Sequence, residues 1–295
     1  MPFRSEVVTS RSKPMAAATV SPAKDTAHFF VPREHGATAM LLTPFLAAAI
    51  LLREVNWPEL VAFLAIACAL AVKDPLVVVA RQRWVWKQEH AETKPAIRSA
   101  ALQSLLLAAC GATLILVRGW HSFIWLFLGA GAFTILAVTV NVRNRQRSEW
   151  FQVASAVALT STSLVACLAA KGAVPGWCWM LWLLCALQAA AGIFVVHSRL
   201  DARIAARKGH GPDSHNRRAA FACDLILFLA GVLFAFLARP WIAAALFLAA
   251  IGYFAELRRQ RNPDSLTVSL KRIGLEALGF STFYSWILLV GLWHG

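Results

Sequence analysis

The chain has 295 residues, of which 59% are apolar and 15% charged, with 29 Lys and Arg against 15 Asp and Glu and a formal net charge of +14. Soluble domains carry about 25% charged residues, so this chain cannot solvate a surface of its own. A nucleic-acid binder would spread its basic residues over a polar face, and no such face is available. Hydrophobic and basic together describe a polytopic membrane protein whose partners are membrane lipids, not nucleic acid.

In chain order, residues 1–27 contain Pro14, Pro22, scattered basic residues and no apolar run. They are expected to form a disordered arm, since the apolar core of a signal peptide is missing. Residues 28–295 are expected to form one all-α membrane domain. Crossing a core of about 30 Å takes roughly 20 helical residues. Nine stretches meet that need, at about 37–53, 57–80, 99–117, 120–142, 149–170, 176–197, 219–238, 240–257 and 275–293. Trp57, Trp120, Trp150, Trp177, Trp241 and Trp293 fall at span ends, the level that amphipathic rings prefer. The six cysteines lie inside apolar runs without a C-x-x-C pair, and they read as small buried hydrophobes.

The basic residues fix the expected orientation. The connections after spans 2, 4, 6 and 8 hold five, three, six and five of them, and the residues before span 1, through Arg33, hold five more. The other connections hold only Arg53, Arg118, Lys171 and Arg239. The positive-inside rule then places the N-terminus and the basic connections in the cytoplasm and the C-terminus outside, in the cytoplasmic (inner) membrane. Three of these connections, after spans 2, 6 and 8, are the long ones, so a site is expected to open on that face.

Ionisable residues at membrane depth cost about 2.5–3.5 kcal/mol each on insertion scales and mark candidate sites. At the start of span 1, Pro32-Arg33-Glu34-His35-Gly36 decorates a first helical turn, either as an interfacial anchor or as an anion site. Lys73-Asp74-Pro75 interrupts span 2. Proline strains the preceding turn, so Asp74 either lines a cavity at a helix break or forms a Lys–Asp pair at the interface. Arg81 lies seven residues on and shares the Asp74 face if the helix continues. Span 4 ends in Asn141-Val142-Arg143-Asn144-Arg145-Gln146-Arg147, where the arginines meet lipid phosphate or hold an anionic ligand. Span 6 runs into His197-Ser198-Arg199-Leu200-Asp201, with His197 and Asp201 on one face. That pair suits a divalent cation or a proton relay, and a solvated basic helix with one counter-charge accounts for it equally. Asp224 and Glu256 read as local interfacial pairs with Arg217 and Arg218 and with Arg258 and Arg259. The hydroxyl residues Ser155 and Thr160 to Ser163 in span 5 read as interhelical hydrogen bonding.

The run Val31-Pro32-Arg33-Glu34-His35-Gly36-Ala37-Thr38-Ala39-Met40-Leu41 resembles the N-terminal signature of the YwiC-like family of bacterial membrane proteins, a Pro-(Arg/Lys)-(Glu/Gln)-His-Gly sequence opening the first span. More remotely, the layout resembles the UbiA superfamily of intramembrane prenyltransferases, which have nine helices, a cytoplasm-facing cavity and catalytic loops after helices 2 and 6. That resemblance sets Arg33, Gly36 and Pro44 on a helix-1 pattern, Asp74 and Asp201 near two Asp-rich motifs, and Arg143 and Arg145 on a basic pair. It implies Mg²⁺ on Asp74 and Asp201, and a prenyl diphosphate or quinone-like amphiphile held by Arg33, His35, Arg81, Asn141, Arg143, Arg145, His197 and Arg199. The full motif N-D-x-x-D-x-x-x-D is not present: Val78 and Arg81 stand four and seven residues after Asp74, and Ile204 and Ala205 follow Asp201. Three functions stay open: a prenyltransferase-like enzyme, a non-catalytic binder of an anionic amphiphile, and a small-solute transporter.

Overall fold

The computed structural model describes residues 35–88, 90–143, 148–208 and 214–294. The arm expected at 1–27 lies outside them. Ten α-helices follow one another: α1 His35–Leu52, α2 Trp57–Ala80, α3 Thr93–Arg118, α4 Trp120–Val142, α5 Glu149–Thr160, α6 Thr162–Lys171, α7 Gly176–Lys208, α8 Ser214–Phe236, α9 Pro240–Arg259 and α10 Leu270–Trp293. Among the described residues there is no strand. Eight helical stretches are long and apolar enough to span a membrane, and a shorter apolar helix, Thr38–Leu52, precedes them. The all-α polytopic class is therefore as expected, with the first of the nine stretches below full spanning length in its described part.

Each of the six span-end tryptophans opens or closes a helix, within its first two residues or as its last. Cys68, Cys110, Cys167, Cys178 and Cys185 are buried and reduced, Cys223 is half-buried and reduced, and all six serve as small packing groups.

The helices divide by burial. In the α5–α6 span 56% of the apolar window is buried, against 11% in α4, so the first is central and the second faces lipid. α6 is buried nearly all round through Leu164, Val165, Ala166, Cys167, Ala169 and Ala170, the pattern of a helix enclosed by others. It packs on α1, α2 and α7. α2 packs on α3, α4 and α6, whereas α7 packs on α5, α8, α9 and α10.

Two local features differ from the sequence expectation. α2 runs unbroken through Pro75, whose ring is fully buried, and the departure from α geometry comes later, as a π-helical turn over Arg81–Trp86. Neighbouring helices make interior proline tolerable in a membrane span. The true interruption lies in the fifth span, at Ser161 between α5 and α6. The carbonyls loosened there are satisfied: the Trp182 indole donates to the Val157 carbonyl at 3.0 Å, and the Ser161 hydroxyl to that of Ala158 at 2.7 Å. Of the five hydroxyl residues in this span, Thr162 reaches another helix, donating to the Leu41 carbonyl of α1 at 2.7 Å. Ser155, Thr160, Ser161 and Ser163 bond back to their own span.

Arg118, one of the few basic residues away from the basic end, closes the far end of α6. Its guanidinium donates to the Ala169 carbonyl at 2.9 Å and also to that of Ala170. It thus satisfies acceptors that a helix C-terminus leaves open.

Candidate functional site

The polar architecture gathers where the basic connections emerge. Leaving the π turn, the chain reverses through Lys87, held at φ 52, and enters α3 at Thr93. The fold-back encloses a cavity of about 450 Å³. Gln82 and Thr93 form its inner wall, Val79 and Ile97 its apolar flank, and Arg83, Lys87 and Gln88 its rim. Gln82 is buried and accepts from the Thr93 hydroxyl. That hydroxyl also accepts from the His90 amide at 3.0 Å, which ties the reversal to the start of α3. Arg83 and Lys87 are exposed, and the described lining contains no carboxylate to neutralise them. Trp84, Val85 and Trp86 project outward, as interfacial residues do. Among the described residues the lining is cationic at the mouth, hydrogen-bonding inside and apolar on one flank.

Arg81 turns away from this cavity. Its guanidinium donates to the Asn141 carbonyl at 2.8 Å and joins the end of α2 to the end of α4. The Asn141 amide donates to the Ala137 carbonyl of its own helix at 2.9 Å. Arg143 caps α4 and is exposed. Asp74 lies one residue from Lys73, with carboxylate and ammonium 4.0 Å apart. Arg33 and Arg145 lie outside the described residues, as does the side chain of His35, the first residue of α1.

A second group joins α5, α7 and α8. The Asn216 amide donates to Asp201 at 2.6 Å and to Glu149 at 2.8 Å, holding two carboxylates on one nitrogen. His215 stands 4.0 Å from Glu149, and His197 meets Gln152 at 3.0 Å. Glu149 is the first residue of α5, where the helix dipole favours an anion. Asp201 thus has a carboxylate neighbour, which comes from a residue 52 positions earlier rather than from its own helix. Asp74 on α2 and Asp201 on α7 sit on helices that both pack on α6, and among the described residues no group of three or more His, Cys, Asp or Glu gathers to hold a metal.

A third group locks α7 to α9. Arg199 is 5% exposed, ion-paired to Glu256 and bonded to the Ser265 carbonyl, while Ser198 donates to Gln260 at 3.0 Å. Glu256 was expected to pair with Arg258 and Arg259. It stands 4.0 Å from Arg259, but its close partner is Arg199, and Arg258 turns over the Phe254 ring. Asp224 also departs from the expected pairing. No ion pair to it exists among the described residues, and Arg217 lies over the Phe221 ring instead.

These positions can be set against known proteins. Residues 31–167 match the family model of YwiC-like proteins. The resemblance carried by the Pro32–Gly36 run is thereby borne out over that stretch, which is somewhat under half of the chain. No curated protein and no solved structure matches the chain. The YwiC-like segment ends inside α6, so it contains the cavity, Asp74, Arg81, Asn141 and Glu149. Arg199, Asp201 and Asn216 lie beyond it. The residues that sequence reasoning passed over in the cavity, Gln82, Lys87 and Gln88, carried no signal of their own, because polar residues in a basic connection look the same whether they face water or a pocket.

Proposed function

We propose that this YwiC-like membrane protein binds an anionic amphiphile at the cytoplasmic end of its bundle, with the headgroup in the cavity between the π turn and α3. The observation that carries this reading is the cavity lining: two cationic side chains at the rim, hydrogen-bonding groups within, and apolar Val79 and Ile97 alongside. Of the ligand classes implied by the remote UbiA resemblance, a prenyl diphosphate suits Arg83 and Lys87 better than a quinone, whose ring brings no charge for them to neutralise. The lysine and arginine bias supplies the cytoplasmic assignment. Mass spectrometry of lipids and small molecules co-purifying with the protein is expected to find an anionic amphiphile. Each basic group near an anionic surface contributes about 1 kcal/mol, so Arg83→Ala with Lys87→Ala is expected to weaken retention roughly thirtyfold. Undiminished retention in the double variant would reject the cavity as the site.

A second reading, prenyl transfer, is favoured by one observation. Asn216 brings Glu149 beside Asp201, supplying the second carboxylate that the sequence around Asp201 lacks. Oxygen donors of this kind suit Mg²⁺, which would screen the charge of a diphosphate leaving group. Asp74, on α2, would then act from a separate position. Under this reading purified protein transfers a prenyl group in the presence of Mg²⁺, and Asp201→Asn and Asp74→Asn each abolish the transfer. Transfer that survives both substitutions removes these carboxylates from the chemistry, and binding without any transfer leaves the first reading.

A further inference from the structure

We infer that Asp224 is a proton-binding site within the membrane span, on the buried face of α8. On α8 the buried positions include Asn216, Ala220, Asp224 and Leu227. Their spacing forms a single stripe, and the helix packs on α7 and α9. Asp224 lies nine residues inside the span that begins at His215. The first residues of that helix, Asn216, Arg217 and Arg218, are polar, so Asp224 stands five residues, about 8 Å, inside the apolar stretch that begins at Ala219. It is 8% exposed, and its Oδ1 is buried without a hydrogen-bond partner.

The ionisable groups on the helices packed against this face do not neutralise it. On α9, Glu256 is taken by Arg199 of α7 and by Arg259, and Arg258 turns to Phe254. On α7, His197 is bonded to Gln152 and Asp201 to Asn216, while Arg203, Arg207 and Lys208 continue outward toward the helix end. Tyr253 of α9 comes closest in depth, and its hydroxyl is engaged on both sides by Gln188, accepting from the amide at 2.7 Å and donating to the carbonyl at 3.1 Å. Cys223 is the neighbour on α8 itself. A carboxylate at this depth without a cation is costly, and taking up a proton removes that cost.

The second observation is another unpartnered oxygen on the same face. Two turns nearer the basic end, Asn216 is 4% exposed, and its Oδ1 is also buried without a partner. Its amide nitrogen is held by Glu149 and Asp201. Both unpartnered atoms are oxygens, so each is completed by a donor: a water, a hydronium ion or an acidic hydrogen. The two carboxylates at the outer end attract positive charge, and Ala220, fully buried between the two positions, offers no polar group of its own. The step is a plain proton transfer. A hydronium ion gives its proton to the Asp224 carboxylate, leaving a water and a neutral carboxyl, and the reverse step returns it.

Infrared spectroscopy of the full chain in lipid vesicles tests this. Near neutral pH the wild type is expected to show the C=O stretch of a neutral carboxylic acid. That band is lost in Asp224→Asn, retained in Asp201→Asn, and moved on transfer to deuterium oxide as O–H becomes O–D. Asp224→Glu keeps the carboxyl and is expected to keep a displaced band, which covers the case in which the amide variant misfolds. A wild-type-minus-Asp224→Asn difference spectrum without the band overturns the site; the buried Glu59, whose Oε1 also has no partner, contributes to both spectra and cancels. A band that deuterium oxide never moves does not belong to an exchangeable carboxyl and likewise overturns the site.

Discussion

Replacing Arg199 by methionine is expected to destabilise the folded protein by about 3 kcal/mol, the lower part of the range for breaking a buried ion pair from one side. The wild-type guanidinium is nearly inaccessible and serves two acceptors, the Glu256 carboxylate and the Ser265 carbonyl. Methionine fills much of the same volume, so the loss falls on those two groups. Glu256 is a quarter exposed and keeps Arg259 at 4.0 Å, which holds the penalty below that of a wholly enclosed carboxylate. Adding Glu256→Gln to Arg199→Met removes the stranded charge and is expected to recover part of the loss, as buried pairs replaced on both sides often do. Unfolding in mixed micelles with rising denaturing detergent gives the comparison. A single variant as stable as wild type would mean that the pair contributes no net stability. The expected loss also places Arg199 as the pin between α7, α9 and the turn over Pro263–Thr267, which bears on its role as a ligand-binding candidate. A side chain with both acceptors fixed has little left for a substrate anion unless the pair opens.

Much of the fold is legible in the sequence because a bilayer imposes lengths. Nine apolar stretches of roughly spanning size, with tryptophans at their ends and basic residues in alternate connections, leave few arrangements of the chain. The Pro32–Gly36 run was legible for a different reason, as a compact motif matched by a family. The partners of the ionisable residues were not legible. Arg199 meets Glu256 from 57 positions away, and Asp201 meets Glu149 through an asparagine on a third helix. Sequence spacing reports neighbours on one helix face, and these contacts are made between helices. Pro75 misled for a related reason, since its effect depends on what surrounds the freed carbonyl. The helix passes it and alters its geometry one and a half turns later. Asp224 shows the limit most directly. Arginines at helical spacing suggested an interfacial pair, yet one of them stacks on Phe221 and the carboxylate faces inward.

Asn216→Leu is expected to have the next largest effect, about 2 kcal/mol of lost stability, because two half-buried charged acceptors lose their shared donor. In the wild type one amide nitrogen stands between Glu149 and Asp201, and it satisfies both. Leucine leaves two like charges facing each other at the junction of α5, α7 and α8, and repulsion adds to the lost bonds. Repulsion has a signature that lost packing does not share, because mobile ions screen it. Raising the salt concentration is therefore expected to restore part of the stability of Asn216→Leu while moving the wild type little. Asp201→Leu in the same chain is expected to restore more, since one carboxylate then remains and no like charge opposes it. A variant whose loss is indifferent to salt and to Asp201→Leu would show that Asn216 acts through shape alone. Magnesium separates the remaining alternatives. If the two carboxylates form a cation site, Mg²⁺ stabilises wild type by mass action and rescues Asn216→Leu more than an equal ionic strength of sodium does. If Mg²⁺ and sodium act alike, the pair serves the junction of three helices, and prenyl transfer loses the observation that favours it.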